Sequence, residues 1–465
     1  MALSQFLRPL YQGVAKNFVL QVGDESEKNC KIFINKSILH TMKKLQAFKF
    51  EILPTAEQEL SMRKFAWSCR FVFNKALAWQ IEAYEKDKSI SVNFNKWSEM
   101  LPTWKQDEEL KWLSQAPSQI LQQSLKDLEK AYKNFFKKNS DFPKFKNKNT
   151  KPSFRYPQGF KVDEGNARIF MPKIGFVRYI KSRNIGLSEK MLAKNITISC
   201  KAGKWFASIQ TEKEIEQPIP VATSSIGIDM GCVRFATLSD GIYVEPCDFK
   251  KQEARLKKYQ RRMSRKVKFS KNWKKEKAKV QKVSAKIANI RKDFIHKVTT
   301  EIAKNHALVI MEDLSVKKMT KSLAGSTATP VAKIKKRNLN RSILGQGWYE
   351  FARQMEYKMA WAGGMFLKVP AYYTSLTCPV PTCQNIDKKN RKTQALFKCV
   401  ACGYENNADL VSAINVEARG HRVLSGEKLD FSACGGGRRR KKAVKLASIS
   451  PMKQEPAETL EDLPL

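Results

Sequence analysis

No stretch of this chain is long and apolar enough to span a bilayer, and neither end carries a lipidation motif. The N-terminus lacks a signal peptide, because Phe18-Val19-Leu20 is far too short for its apolar region. Acidic residues are scarce: 44 Asp and Glu face 86 Lys and Arg over 465 residues, a formal charge of +42. Such an excess opposes compaction unless a polyanion neutralises it. A membrane surface attracts basic chains, but with no span and no anchor the expected partner is nucleic acid, whose phosphates release counterions when neutralised. The expected location is the cytoplasm, at the nucleoid when bound to DNA. In that reducing compartment ten cysteines make no disulfide framework. Cys30, Cys69, Cys200, Cys232 and Cys247 read as buried or incidental thiols. No His-hydrophobe-His pair or tyrosine-nucleophile constellation of a single-strand transposase is evident.

The cysteines that stand apart are two pairs, Cys378/Cys383 and Cys399/Cys402. Four thiolates can hold one Zn²⁺ tetrahedrally, which suggests a structural ribbon. Shortly after the last cysteine comes Asp409, in Asn406-Asn407-Ala408-Asp409-Leu410. Two other acids end short apolar runs: Asp229 in Ser225-Ile-Gly-Ile-Asp229-Met-Gly, and Glu312 in Ala307-Leu-Val-Ile-Met-Glu312-Asp-Leu. An Asp in such a place is plainly read as a turn residue, but buried among apolar neighbours it is costly unless it pairs or binds a metal. The three acids are far apart in the chain, so only a fold can bring them together. Three convergent carboxylates suit two Mg²⁺ ions, which take hard oxygen ligands and keep several waters. Metals about 3.5–4 Å apart activate a water and stabilise the leaving 3′ oxygen of a phosphodiester.

Alternation from Met42 predicts a strand ending at Pro54, with Thr55 as the N-cap of a helix. Helical spacing continues to about Lys138, through Phe65, Cys69, Val72 and Ala76 and then Ile120, Leu125, Leu128, Tyr132 and Phe135. Trp97, Trp104, Trp112, Tyr132 and Phe136 interleave with basic residues there, and any one of them is more simply a core residue. After Asp141-Phe-Pro-Lys-Phe-Lys, prolines and β-formers take over. Residues 153–220 read as short strands of a small antiparallel barrel or sandwich, which the strand before Pro54 could join.

Residues 251–300 hold nineteen Lys and Arg against Glu253, Glu276 and Asp293. A charge run is usually a solvated helix face, but one this unbalanced repels itself, and a phosphate-tracking helical hairpin is the better reading. Its candidate contacts are Lys257, Lys258, Arg261, Arg262, Arg265, Lys274, Lys275, Arg291 and His296. His296 reads as a packing or phosphate-contacting residue and not as a base, because a metal-activated water needs no imidazole.

Ile226-Gly-Ile-Asp229-Met-Gly, Asn289-Ile-Arg-Lys-Asp-Phe-Ile-His296-Lys, Val309-Ile-Met-Glu312-Asp-Leu, and Tyr373-Thr-Ser followed by the cysteine pairs and Asn407-Ala-Asp409 resemble the TnpB family. These are transposon-encoded, RNA-guided DNA endonucleases, ancestors of type V CRISPR nucleases. The resemblance runs from about Met42 to Gly420. Arg70-Phe-Val-Phe-Asn-Lys, Ala131-Tyr-Lys-Asn-Phe-Phe and Phe142-Pro-Lys-Phe extend it upstream, and Ala433-Cys-Gly-Gly and Lys453-Gln-Glu-Pro lie in the tail.

The resemblance implies a multidomain α/β protein with all-β and helical parts. An N-terminal extension (1–41) precedes an oligonucleotide-binding-like wedge domain of split β-barrel type (42–54 and 141–220), interrupted by a helical recognition domain (55–140). A RuvC nuclease of RNase H type follows (221–373 and 405–420), with the basic hairpin 251–300 within it and a zinc ribbon (374–404) inserted, and then a tail (421–465). Asp229, Glu312 and Asp409 would carry its two Mg²⁺ ions as the catalytic acids, and Cys378, Cys383, Cys399 and Cys402 its Zn²⁺. Family ribbons usually place two residues between the first cysteines, whereas four stand between Cys378 and Cys383. The implied partners are a structured guide RNA from the transposon end and double-stranded target DNA, opened into an RNA–DNA heteroduplex by one chain per RNA. Base pairing would supply sequence, while the protein reads a short adjacent motif, shape and backbone. An RNA-guided repressor without cleavage and a type V CRISPR effector remain as alternatives.

Overall fold

The computed structural model describes residues 41–426 apart from 148, 149, 189, 190, 217 and 324. Most of the expected extension and tail therefore lies outside the described residues. Among these residues the chain forms two compact units, one of 41–216 with 254–285 and the other of 218–253 with 286–426.

The first unit opens with β1 (Thr41–Leu53), whose alternation buries Phe48, Phe50 and Ile52. Pro54 follows, and Thr55 caps α1 (Ala56–Lys86) through a capping box with Gln58. Helices α2 (Phe94–Gln106) and α3 (Ser118–Phe136) come next. Six strands complete the unit: β2 (Ser153–Tyr156), β3 (Lys161–Asp163), β4 (Arg168–Met171), β5 (Gly175–Tyr179), β6 (Met191–Lys201) and β7 (Lys204–Glu216). They join β1 in one antiparallel sheet of order β2-β6-β7-β1-β5-β4-β3. Strand β1 pairs with β7 as far as Ile52 and with β5 at Ile52–Leu53. Among the described residues no β2–β3 pairing closes this sheet into a hydrogen-bonded barrel, so the barrel is replaced by an open sheet with β2 and β3 as its edges. The three helices and the sheet share one core, in which Phe65 of α1 meets Phe154 of β2 edge-on at 5.9 Å. Trp97 and Trp104 are core residues, while Trp112 and Phe136 are exposed. Two separated motifs meet here, because Asn74 exchanges hydrogen bonds of 2.9 and 2.8 Å with the Lys146 backbone.

Helix α4 (Lys250–Ser264) and helix α5 (Lys271–Asn305) form the expected pair of basic helices. The first buries no residue, and the second buries only Ile287, Ile295, Thr299, Ile302 and Ala303, all from about its middle onward.

The second unit is built on a five-stranded sheet. Strands β8 (Ser225–Met230), β9 (Ala236–Leu238) and β10 (Tyr243–Val244) form an antiparallel meander. Strand β11 (Leu308–Glu312) runs parallel to β8, and β12 (Met365–Val369) parallel to β11. On one face, Ile226, Ile228, Val309, Met311 and Phe366 pack with α5 and with α6 (Pro330–Gln346) and α7 (Trp348–Ala362). The hairpin of β13 (Leu396–Lys398) and β14 (Glu405–Asn407) precedes α8 (Ala408–Leu424). Helix α8 covers the opposite face, where Val416 packs with Leu308, Ile310, Leu367 and Val369. Side chains alternate across a strand, so Gly227 and Asp229 of β8, and Leu308, Ile310 and Glu312 of β11, all point towards α8.

The approach of α8 is close enough to exclude side chains. A Cβ on Gly227 would stand 2.3 Å from the Ala413 carbonyl oxygen, and one on Gly420 would stand 2.6 Å from the Ile310 side chain. Gly420 is therefore a packing residue within a helix that continues to Leu424, four residues into the stretch expected to be tail, most of which lies outside the described residues. Replacing Gly227 with Ala should destabilise this unit by about 1–3 kcal/mol or more through overpacking, read as a lower unfolding midpoint, whereas Gly345→Ala, in open space, should cost less.

Candidate active site and metal-binding ribbon

Register and helix phase bring the three acids together. Ile310 of β11 pairs with Gly227 of β8, and Met311 with Ile228, so Glu312 comes level with Asp229 at the ends of adjacent parallel strands. Asp409 lies in the first turn of α8, where the Asn407 side chain caps the Asp409 and Leu410 amides at 3.0 and 3.4 Å. One face of α8 then serves the whole cluster. Positions 409, 412, 415 and 419 fall within an arc of about 120° on a helix. Ser412 hydrogen-bonds Asp229. Asn415 donates to the carbonyls of Thr374 and Thr377 at 2.8 and 2.7 Å. Arg419 donates to those of Pro370 and Tyr372 at 2.5 and 2.9 Å. The Thr374 hydroxyl donates in turn to Glu312 Oε1 at 2.5 Å.

The electrostatics are those of crowded, buried acids. Burial first, and then the charges of Glu312 and Asp409, push the Asp229 carboxyl up to about 8, against the pull of Arg391 and Ser412. Burial also raises Glu312, opposed by Thr374 and by the Arg419 charge. Arg391 reaches Asp409 Oδ1 at 3.2 Å and the Gln394 carbonyl at 2.8 Å. Hard oxygen donors under mutual repulsion fit divalent cations. The three carboxylates stand wider than 4.8 Å as a set, since among the described residues only the cysteine group brings all its ligand atoms within that distance.

The four cysteine sulfurs could hold one zinc. Cys378 and Cys402 approach to 3.6 Å, and Cys383 and Cys399 to 3.7 Å. Sulfurs about 2.3 Å from a tetrahedral Zn²⁺ lie about 3.8 Å apart, so the cage fits. The longer first loop is absorbed without altering the cage. The Cys399 amide donates to the Tyr404 carbonyl at 2.8 Å, and the Cys378 amide donates to Asn385 at 2.9 Å, two residues further along. A left-handed residue follows the second cysteine of each pair: Gln384 at φ 44° and Gly403 at φ 75°. Buried Asn390 ties the ribbon together, donating to the Leu376 and Asn385 carbonyls and accepting from the Val400 amide.

The candidate nucleic-acid contacts divide. Lys257, Lys258, Arg261, Arg262, Arg265, Lys274 and Lys275 are exposed. Arg291 and His296 are half-buried: Arg291 lies over the Phe249 ring at 5.3 Å, and burial and the Lys358 charge depress the His296 pKa. The charges acting on His296 are Lys358, Lys292, Glu350 and Arg353, so it does not join the acid cluster. Sequence reasoning passed over Ser412, Asn415 and Arg419, which the helical spacing from Asp409 could have flagged, and Thr374, inside the Tyr373-Thr-Ser motif. Nothing local marks Arg391 or Asn390.

Three family models match this chain: "Probable transposase" over residues 208–323, "Cas12f1-like, TNB domain" over 348–416, and "Helix-turn-helix domain" over 42–89. Two curated relatives carry the name "Putative RNA-guided DNA endonuclease". That of Escherichia coli (strain K12), with the suffix InsQ, is 48% identical over 90% of this chain and 99% of its own. That of Streptomyces pristinaespiralis is 32% identical over 90% of this chain and 98% of its own. The fold is similar to that in the structure titled "Cryo-EM structure of the Cas12f1-sgRNA-target DNA complex", with a TM-score of 0.50 at 15% identity over 81% of this chain and 99% of that one. Metal analysis of purified protein should find one zinc per chain, and Cys399→Ser should lower both zinc content and thermal stability.

Proposed function

We propose that this chain, which belongs to the TnpB family of IS605-type OrfB proteins, is an RNA-guided DNA endonuclease whose single nuclease centre is formed by Asp229, Glu312 and Asp409. The observation that carries the reading is the convergence of these acids from two parallel strand ends and a helix start. The same convergence speaks against a cleavage-deficient repressor, which has no use for a buried, mutually repelling trio. The sheet order, a three-stranded meander extended by two parallel strands, supports a nuclease unit of RNase H type. Strands and helices of the first unit would make up the wedge and recognition parts. The partners are a structured guide RNA transcribed from the transposon end and a double-stranded target opened into a heteroduplex, with one chain per RNA.

Asp229, Glu312 and Asp409 would hold two Mg²⁺ ions, which when bound supply the activated water and the charge that stabilises the leaving 3′ oxygen. The chain's own residues set the stage. Ser412 orients Asp229, Thr374 orients Glu312, and Asn407 fixes the helix start that presents Asp409. Arg391 brings a positive charge to the edge of the cluster, where the scissile phosphate would arrive. Cys378, Cys383, Cys399 and Cys402 would hold Zn²⁺ and so keep that arginine in place. The exposed Lys and Arg of α4 and α5 would track phosphates.

With the chain bound to its co-purified RNA and Mg²⁺ present, a plasmid matching the guide beside the correct motif should be cut. Asp229→Ala should slow cleavage at least ~1,000-fold, ~4 kcal/mol of barrier, with RNA retained; undiminished cleavage by that variant would sink the reading. Changing Lys274 and Lys275 together to Ala should weaken nucleic-acid binding whatever the sequence. Each lost phosphate contact should flatten the log–log salt dependence by about 0.9, measured by titration at several salt concentrations.

A further inference from the structure

Thr374 stands outside the acid trio, yet its surroundings are built to aim one hydroxyl. Glu312 is 6% exposed and Thr374 3% exposed, so water cannot satisfy the carboxylate or readily turn it. A threonine hydroxyl has one proton to donate, and here it goes to Glu312 Oε1 at 2.5 Å. The donor is itself held in place. Asn415 spends its side-chain amide on the carbonyls of Thr374 and Thr377, bracketing the segment from the α8 side. Arg419, one turn further along α8, holds the carbonyls of Pro370 and Tyr372 just before it. Between these anchors Tyr373 adopts φ +59°, in the left-handed region that a non-glycine residue enters only at a cost. The chain accepts that strain at the residue before Thr374. The outcome is a hydroxyl placed on the acid that ends β11, by the helix that also carries Asp409.

We infer that Thr374 is a positioning residue for metal binding at Glu312, held on target by Asn415. It fixes the carboxylate so that one oxygen is kept for the cation. The inference rests on the nuclease reading given above. Outer partners that orient a ligating carboxylate typically contribute 10- to 100-fold in metal affinity.

The test uses the chain with its bound guide RNA and intact zinc ribbon. Thr374→Val keeps the shape and removes the hydroxyl, while Thr374→Ser keeps the hydroxyl. Mn²⁺ binding is measured by electron paramagnetic resonance without target DNA, and cleavage of the matched duplex is followed against Mg²⁺ concentration. Guide RNA retention, target binding and zinc content are measured in parallel. The expected result is a shift of roughly 10-fold or more in the half-saturating Mn²⁺ and Mg²⁺ concentrations for Thr374→Val, with RNA, DNA and zinc binding as in the unchanged protein, and near-complete recovery in Thr374→Ser. Unchanged metal dependence in Thr374→Val overturns the inference, and so does a Thr374→Ser variant as impaired as the valine one. Asp229→Ala, run alongside, separates the two levels. If it cuts normally, the nuclease centre is wrong; if it is inactive while Thr374→Val binds metal normally, only the role of Thr374 falls.

Discussion

The close packing of α8 on the ends of β8 and β11 is the contact on which the candidate site depends. Gly227 and Gly420 let the helix lie against the sheet at a distance no side chain would permit. Because it lies so near, Asp409 reaches the acids of the strands, and Ser412, Asn415 and Arg419 reach their supports. A helix held further out would still cover the apolar face, through Val416, but it would leave three carboxylates with nothing in common.

The arrangement carries an electrostatic cost that the surrounding unit has to bear. Asp229 sits among like charges and beneath packed chain, which raises its pKa towards neutrality. The local cations moderate this without removing it. Arg391 lies on Asp409, and Arg419 acts on Glu312 while being held by two backbone carbonyls. Neither is a tight partner of Asp229. Repulsion among buried carboxylates that nearby cations only moderate is what a site for divalent cations would show.

The ribbon belongs to the same construction. Its last hairpin, β13–β14, leads directly into α8, its Arg391 touches Asp409, and Asn415 binds the carbonyl just before Cys378. A four-sulfur cage that fixes Asn390 and its neighbours therefore also fixes what reaches the acids. Two extra residues in the first cysteine loop leave this unaffected, because the closing hydrogen bond moves along by two and the sulfurs stay in tetrahedral reach.

Much of this was legible along the chain. The period of two between Met42 and Pro54, the cap at Thr55, the acid-terminated apolar runs at Asp229 and Glu312 and the cysteine pairs are local patterns, set by side-chain alternation, capping and ligand chemistry. Sequence alone determined which residues can ligate metal and which stretches carry the positive charge. It could not determine that β1 would join an open seven-stranded sheet, because pairing partners far apart in the chain leave no mark in any one of them. Nor could it show that Gly420, the last residue before the expected tail, is a packing residue, since only the opposing Ile310 gives it that role. The supports of the acids were decided by tertiary structure as well. Thr374, Asn415 and Arg391 act across long sequence separations through single hydrogen bonds, whose existence depends on distances that only the packed helix and sheet define.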